Sequence, residues 1–444
     1  MRPRGLIIAA ALLLVLGGLV WWSNKSKDEG AGKAADPSKP ILVAIPQDQV
    51  SRIEVKRAAG ETTVLERKGA AWEITAPTPL RADQDAVASM VATAASLQSE
   101  QIVEEKAVNL GEFGLVPPAV EVTITDKAGK AHKVTFGDET PTGGSFFARA
   151  SESPRVVTVA SFTKQSLDKT AEDLRDKRLL TFDQDKLSRV EVTAKGRAIE
   201  FGKNNQNEWQ ILKPQPLRAD TGAVEELVRR LKDARMETAT EDDRKKAAAS
   251  FASGTPVATA RVTDASGTQE MTLRADKDKN YWAKTSVTEG VHKTSADLGE
   301  SLSKGLDGYR NKKLFDFGWS EPSKIDIRDG TATHSWHKAG ENWLDGAKKL
   351  DASAVNAVID KMRDLAAASF PQSGFTTPSL EVSVTSNEGK RTEKVQFANT
   401  GKAWIGKREG EPALYEPDPN AVEELRKAIG AVTAAKPAVA TPKR

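Results

Sequence analysis

The sequence of 444 residues lacks cysteine altogether and has only four histidines. Without cysteine the protein can form no disulfide bond, thiolate metal site or thiol nucleophile, so its stability must come from core burial. Acidic and basic residues nearly balance and are interspersed, giving a formal net charge of +3. A nucleic-acid-binding protein would instead carry a clustered basic face. The composition therefore predicts globular domains, about three for this length, and no nucleic-acid partner.

The sequence also lacks the motifs of common catalytic and metal sites. It contains no His-Glu-x-x-His segment, no Gly-x-Ser-x-Gly nucleophile elbow and no acidic calcium-binding loop. His334 and His337 have a spacing that resembles a metal site, but residues three apart in a strand point to opposite faces. The glycine-rich turn 143–145 lacks the nearby lysine of a phosphate-binding loop, so we interpret it as a hairpin turn. We predict no enzymatic activity, no cofactor and no metal.

What the sequence does contain is a threefold repeat with a period of roughly 135 residues, about the size of one small domain. Each copy has a short alternating strand, then a lone tryptophan, then a Leu-Arg-Ala-Asp segment or its remnant. The strands are 52–55, 189–192 and 324–327, the tryptophans are Trp72, Trp209 and Trp343, and the third landmark is 80–83, 217–220 and 350–351. A residue present in every copy serves the common fold first, so few residues remain as candidates for chemistry.

Each copy continues with an amphipathic helix whose apolar residues stand at the same offsets from an aspartate. The aspartates are Asp83, Asp220 and Asp351, and the apolar sets are Val87, Met90, Val91, Ala94 and Leu97; Val224, Leu227, Val228, Leu231 and Ala234; Val355, Val358, Ile359, Met362 and Leu365. The spacing places each set on one helical face, which predicts burial. Each aspartate stands where an N-cap residue accepts hydrogen bonds from free backbone N–H groups, so capping explains these carboxylates without catalysis.

The rest of each copy predicts a second group of strands, an aromatic strand and a final amphipathic helix. In the first copy the second group is 120–126 and 132–137, and Pro77 and Pro79 end the first group because they lack the donor that a sheet needs. The predicted fold class is α+β, with three tandem similar units of antiparallel strands plus amphipathic helices. The predicted units are 41–180, 181–318 and 319–432.

The N-terminus predicts one transmembrane helix ahead of these units. Two arginines precede an uncharged apolar run, and Trp21 and Trp22 end it. As a helix, residues 5–22 would span about 27 Å, close to a bilayer core of about 30 Å. The arginines predict a cytoplasmic stub, 1–4, and the tryptophans suit the opposite interface. We favour an uncleaved anchor in the bacterial inner membrane over a cleaved signal peptide, because no small-x-small site follows the run.

Segments of biased composition flank the predicted units. Residues 23–40 are polar and charged and predict a flexible tether, whereas residues 433–444 are rich in Ala, Pro and Lys and predict a disordered tail. With the stub in the cytoplasm, we expect a single-pass protein whose bulk is periplasmic.

The nine tryptophans allow two interpretations. Core packing explains the repeated ones, because one large aromatic side chain in each sheet buries much apolar area. The alternative is a sugar-stacking platform in each unit. Trp319 and Trp336 fall outside the repeat, and together with His334 and His337 they are our candidates for a surface contact.

Several motifs carry a resemblance to a known bacterial family. They are 72–77, 81–83, 112–118, 135–138, 143–147 and 176–182. Together they resemble the domain-of-unknown-function 4340 family (DUF4340), and the second and third copies fit it progressively less well. The resemblance implies single-pass, outward-facing proteins, some of them encoded beside ABC-transporter components of the gliding-motility type. It implies no catalytic residue.

Two classes of function remain open. A non-enzymatic, membrane-anchored accessory or scaffold protein of an ABC-transporter or envelope complex fits one span, a tether and three units without a ligand motif. An extracytoplasmic glycan- or ligand-binding module is the alternative, because three aromatic-bearing sheets in tandem would give avidity. We expect the first, with the membrane and an envelope protein as partners.

Overall fold

A computed structural model describes residues 40–435. The predicted stub 1–4 and anchor 5–22, the tether up to residue 39 and the tail from residue 436 lie outside the described residues. Within 40–435, no helix has the length and apolar character needed to cross a bilayer. The chain forms two compact units, which divide between Lys177 and Arg178.

Between residues 40 and 177 the first unit has a nine-stranded antiparallel sheet, a separate pair of strands and three helices. The strands are β1 Ile41–Ala44, β2 Val50–Arg57, β3 Thr63–Lys68, β4 Ala71–Ala76, β5 Leu80–Arg81, β6 Ser96–Gln98, β7 Gln101–Glu104, β8 Val120–Asp126, β9 Ala131–Glu139, β10 Ser145–Ala150 and β11 Val156–Ala160. The helices are α1 Gln84–Ala95, α2 Ser161–Leu167 and α3 Ala171–Leu174. The sheet order is β5-β4-β3-β2-β8-β9-β10-β11-β7, and β1 pairs with β6.

The second unit contains two antiparallel sheets, one from each of the remaining repeats. The second repeat has β12 Arg189–Ala194, β13 Arg197–Lys203, β14 Trp209–Lys213, β15 Leu217–Arg218, α4 Thr221–Lys232, α5 Glu241–Ser253, β16 Thr255–Asp264, β17 Gly267–Ala275, β18 Tyr281–Thr285, β19 His292–Thr294 and α6 Ala296–Leu302. The third has β20 Lys324–Asp329, β21 Ala332–Ala339, β22 Asn342–Asp345, β23 Lys348–Lys349, α7 Ala352–Asp364, β24 Ala367–Ser369, β25 Leu380–Ser386, β26 Arg391–Asn399, β27 Trp404–Arg408, β28 Leu414–Pro417 and α8 Pro419–Ala431.

All three sheets follow one plan, in which two meanders are joined along their first strands. The joining pairs are β2 with β8, β12 with β16, and β20 with β25. In the first and third sheets a strand after the helix, β7 or β24, adds to the far edge, whereas α5 stands at that point of the second repeat. The structure thus confirms the predicted α+β class with antiparallel, repeated sheets.

The amphipathic helices bury the faces that their spacing predicts. The buried residues of α1, α4 and α7 include every residue predicted within these helices, and Leu97, Ala234 and Leu365 just beyond them are also buried. Each predicted N-cap is present, and backbone N–H groups two or three residues ahead donate to its carboxylate. The acceptors are Asp83 at 3.0 and 3.1 Å, Asp220 at 2.9 Å and Asp351 at 2.9 Å.

The second and third repeats share one hydrophobic core. Leu314, Phe315 and Phe317 are buried in a cluster that continues through both of their sheets. The sequence placed these residues at the end of the second repeat. The Leu314 N–H, however, donates at 3.0 Å to the carbonyl of Leu365, a residue of the third repeat. The segment 314–317 therefore packs against the third repeat as well as the second.

Candidate functional site

The structure separates the four predicted surface-contact residues. Trp336 is only 1% exposed, so its predicted surface position is wrong. In the pairing of β20 with β21 it lies opposite Ile325. Leu65 and Phe201 hold the equivalent position in the first and second sheets, where they lie opposite Ile53 and Val190. Trp336 is thus a repeated core residue whose identity, although not its position, differs among the copies.

His334 and His337 lie on opposite faces of β21, as predicted. His334 is opposite the buried Ile327, and His337 is opposite Lys324. The Nδ1 atom of His334 is 3.8 Å from Oδ2 of Asp345, and both side chains are more than one-third exposed (36% and 38%). Among residues 40–435, no group of three or more His, Cys, Asp or Glu side chains could hold a metal ion.

Trp319 is the predicted contact residue that the surface displays most fully, with 90% exposure. It lies between the buried Phe317 and β20. The Arg363 guanidinium, on α7, is 5.3 Å from the centre of the Trp319 ring and 5.5 Å from that of Phe317. Arg363 also donates from Nε to the Gly318 carbonyl at 3.0 Å. The indole is therefore supported by a cation on one side while it remains open to solvent.

A polar groove of about 420 Å³ adjoins this tryptophan, since Arg363 lines it too. Lys338 and Glu321 form an ion pair across it, and the lysine lowers the pKa of the Glu321 carboxyl. We name Trp319, Glu321, Lys338 and Arg363 the Trp319 surface. Sequence reasoning found only Trp319, because the other three are charged residues that no sequence pattern connects with it; the fold brings them together.

The repeated tryptophans pack in the cores, as the first interpretation predicted. Trp72, Trp209 and Trp343 are 5%, 7% and 3% exposed. In the aromatic strands, the Trp282 indole donates to Asp276 at 2.9 Å and the Trp404 indole donates to Glu423 at 3.0 Å. Buried rings cannot stack on a sugar, so the platform interpretation fails for these residues.

A network of charges fastens the second repeat to the third, and the sequence did not reveal it. Arg218, from the repeated Leu-Arg-Ala-Asp segment, contacts Asp316 at 3.2 Å and Glu411 at 2.8 Å. Arg408 joins the same Glu411 at 2.7 Å to Glu393 at 3.2 Å. The side chains of Arg408 and Glu393 are only 10% and 4% exposed. Each buried charge here has an opposite partner, which a buried charge needs.

The pKa shifts in this network follow from its pairing. Burial alone would raise the pKa of the Glu393 carboxyl, but Arg408, the Asp316 N–H and Arg391 outweigh burial and hold that pKa below its ordinary range. Burial raises the pKa of the Tyr415 hydroxyl, which donates to Glu411 at 2.6 Å. At neutral pH the Glu393 carboxyl, with its lowered pKa, is therefore ionised and the Tyr415 hydroxyl, with its raised pKa, is protonated, which suits their ion-pair and donor roles in this network.

Comparison with protein families gives two matches to one family, described as a domain of unknown function (DUF4340). They cover residues 72–216 and 209–381 and so overlap over residues 209–216, and each begins at a corresponding tryptophan, Trp72 or Trp209. The chain belongs to the DUF4340 family. Each match extends from one repeat into the next, so the family's unit is offset from the sheets. Searches of curated proteins and of solved structures find no match.

One DUF4340-like motif pair has a structural explanation in the first unit. A Cβ atom at Gly137 would lie 2.0 Å from the Phe113 carbonyl oxygen, and one at Gly114 would lie 2.4 Å from the Asp138 side chain. Gly114 also has a φ of 63°, which favours glycine. The two glycines therefore let the loop 110–114 rest directly on β9, and their presence requires no ligand.

Proposed function

We propose that this DUF4340 protein is a non-enzymatic accessory or scaffold protein of an ABC-transporter or other envelope complex. In this proposal residues 5–22 anchor it in the bacterial inner membrane, and the bulk of the chain, including both described units, is periplasmic. Support comes from the chemistry of the described residues, whose buried charges are paired with opposite charges, as Arg408 is with Glu393 and Glu411. The repeated aromatic residues serve the cores.

The observation that carries the proposal is the Trp319 surface. Tryptophan and arginine are enriched among the residues that dominate protein interfaces, where truncating one costs about 2 kcal/mol or more. Trp319 is 90% exposed, and it is held in place by Arg363 at 5.3 Å. The Lys338–Glu321 ion pair supplies a charged border. An apolar anchor with a polar rim is the usual anatomy of a protein contact.

The test is crosslinking of the full-length protein in its native membrane, followed by mass spectrometry. We expect a transporter permease, an ATPase or another envelope protein to be recovered with the parent, and its yield to fall at least tenfold for Trp319→Ala. Phe162→Ala is the matched control, because Phe162 is an aromatic residue of the first unit with 73% exposure. Equal recovery with Trp319→Ala would remove the Trp319 surface as the contact, and recovery of the protein alone would count against the scaffold itself.

A glycan-binding module is the second candidate, and Trp319 is also the observation that favours it. An exposed indole beside a polar groove can stack on a sugar ring and leave polar groups for its hydroxyls. Titration of soluble cell-wall fragments into the full-length protein, followed by tryptophan fluorescence, separates the two candidates. Saturable quenching that Trp319→Ala abolishes would favour glycan binding, whereas flat titrations with every fragment would exclude it.

A further inference from the structure

The second repeat contains a cavity of about 700 Å³ at one end of the β12–β13 hairpin. Its apolar floor includes Val192 and Ile199, which are 2% and 5% exposed. Ala194, Leu306 and Ser303, the residue after α6, also line it. The volume lies within the range of small-molecule sites, roughly 300 to 1,000 Å³.

The corresponding place in the first repeat is occupied by an ion pair. Val55 and Val192 hold the same register position. Each follows by two residues the equivalent residues Ile53 and Val190 of the first strand. Two residues further on, the first repeat has Arg57, whose Nε donates to Asp168 at 2.7 Å. The two side chains are 15% and 23% exposed.

The third repeat also has an ion pair at this position, with the charges reversed. Asp329 stands two residues after Ile327, the register equivalent of Val192. Both of its oxygens accept from Arg426 of the final helix, each at 3.0 Å. Both repeats therefore join the end of the first strand to the final helix region by an ion pair.

The second repeat has lost both members of the pair. Ala194 stands where the first repeat has Arg57, and Ser303 follows α6 where Asp168 follows α2. Both small residues line the cavity. The cavity therefore lies where the second repeat lacks the ion pair that the first and third repeats have.

The rim of the cavity is basic. Lys195, Arg197 and Lys304 line it, all three are exposed, and no carboxylate does so among the described residues. Within 40–435 none of the three forms an ion pair with a carboxylate, and the contact of Lys304 is with the Tyr309 ring, whose centre lies 4.9 Å from its Nζ.

Glu200 and Asp307, two carboxylates next to lining residues in the chain, pair with other cations. Glu200 pairs with Arg189 at 3.0 Å and with Lys213 at 2.6 Å. Asp307 pairs with Arg310 at 3.4 Å. The three rim cations therefore keep their charge available to a ligand.

We propose that this cavity binds an organic anion with an apolar body, of the chemical class of a medium-chain fatty acid carboxylate. The apolar portion would lie on Val192 and Ile199, where removal from water is favourable. The carboxylate would lie at Lys195, Arg197 and Lys304, where charge-assisted hydrogen bonds are available. The inference goes beyond the scaffold function and does not depend on it, since it involves a different repeat from the Trp319 surface.

The test uses the full-length protein in nanodiscs of zwitterionic lipid and the fluorescent anion 8-anilinonaphthalene-1-sulfonate. We expect saturable binding that octanoate displaces. Octanol has the apolar body without the charge and acetate has the charge without the body, so each should displace the probe at least tenfold less well. Displacement by acetate as good as by octanoate would overturn the apolar half of the proposal, and displacement by octanol as good would overturn the anionic half.

The decisive variant is Ala194→Arg/Ser303→Asp, which transfers the ion pair of the first repeat into the cavity. We expect it to abolish octanoate-sensitive binding while the far-ultraviolet circular dichroism stays that of the parent. Ala194→Leu fills the same space without charges and should weaken binding in the same direction, so it serves if the double variant does not fold. Undiminished binding by a folded cavity-filling variant would show that the probe binds elsewhere and would overturn the proposal.

Charge removal tests the rim. Lys195→Ala/Lys304→Ala should weaken octanoate binding about tenfold and flatten its dependence on salt. Lys277→Ala is the matched control, because Lys277 is an exposed lysine of the same repeat that does not line the cavity. If the control lost as much octanoate affinity as the rim variant, binding would depend on the overall charge of the protein, and the proposed role of the rim would be contradicted.

Discussion

The first and second units use the same arginine of the repeat differently. Arg81 is 36% exposed, and its guanidinium lies 3.6 Å from the Asp176 carboxylate. Arg218, at the same place in the second repeat, is 20% exposed and reaches Asp316 and Glu411 at 3.2 and 2.8 Å. In the second unit Glu411 comes from the third repeat, so this arginine of the repeated motif forms an ion pair between two repeats. A shared sequence landmark therefore need not have a shared energetic role.

The largest expected difference in stability between the two units comes from Arg408→Ala. The substitution would leave Glu393 with one cationic partner fewer in a site where its side chain is 4% exposed. Arg391 at 2.7 Å still compensates part of the Glu393 charge, so the expected cost is that of one lost hydrogen-bonded charge partner, about 1.5–3 kcal/mol, and not that of an uncompensated buried charge. We expect scanning calorimetry to show a loss of that size in the second unit's transition and none in the first unit's.

Arg52→Ala is the matched control for Arg408→Ala. Arg52 pairs with Glu54 at 2.7 Å in the first unit, but both side chains are about one-third exposed (36% and 31%). Exposed pairs contribute about 0–1 kcal/mol. If Arg408→Ala costs no more than Arg52→Ala, the network does not fasten the two sheets.

Lowering the pH should also destabilise the two units to different extents, with a smaller effect than Arg408→Ala. Paired cations hold the pKa of Glu393 below its ordinary 4.5, and hydrogen bonds from Ser266 and from the Asp183 N–H lower that of Asp264 to about 2. A carboxyl whose pKa is lower in the folded state stabilises the protein above its unfolded pKa, and that stabilisation is lost as the pH falls through the folded value. The first unit has such a shift at Asp173, where burial opposes it but the Thr170 hydrogen bonds outweigh burial.

We therefore expect the second unit's Tm to fall more steeply than the first unit's between pH 4.5 and about 2. Asp264→Asn should make that fall shallower, because it removes one of the groups that must be protonated. Calorimetry at successive pH values measures both slopes. Equal slopes in the two units, or an unchanged slope in Asp264→Asn, would mean that these carboxyls are not coupled to the second unit's folding.

The sequence was informative where the signal is local and repeated. The helix faces and the caps Asp83, Asp220 and Asp351 depend on residues within a few positions of one another, and the structure confirms them. Trp336 was misread because its core position depends on the β20–β21 register, which a strand alone does not specify. The partners of Arg218 lie 98 and 197 residues away along the chain at Asp316 and Tyr415, and no spacing predicts such contacts.

The candidate sites follow the same division. Trp319 stood out from the repeat because no other copy has it, but its support by Arg363 required the fold. The cavity depends on the absence of a pair, Ala194 and Ser303 in place of Arg57 and Asp168. That absence becomes visible only when the strand register shows which residues correspond.

The smallest effects test whether the second and third repeats unfold together. Losing an N-cap costs about 1 kcal/mol, which lowers Tm by about 2–4 °C in a unit of roughly 150–250 residues. Asp220 and Asp351 cap helices of different sheets, and those helices contribute to one core. We therefore expect Asp220→Ala and Asp351→Ala to lower the same calorimetric transition, and Asp83→Ala to lower the other. If each of the three variants moved a transition of its own, the repeats would be independent folding units despite the Arg218 network; movement of one common transition by Asp220→Ala and Asp351→Ala is what the shared core requires.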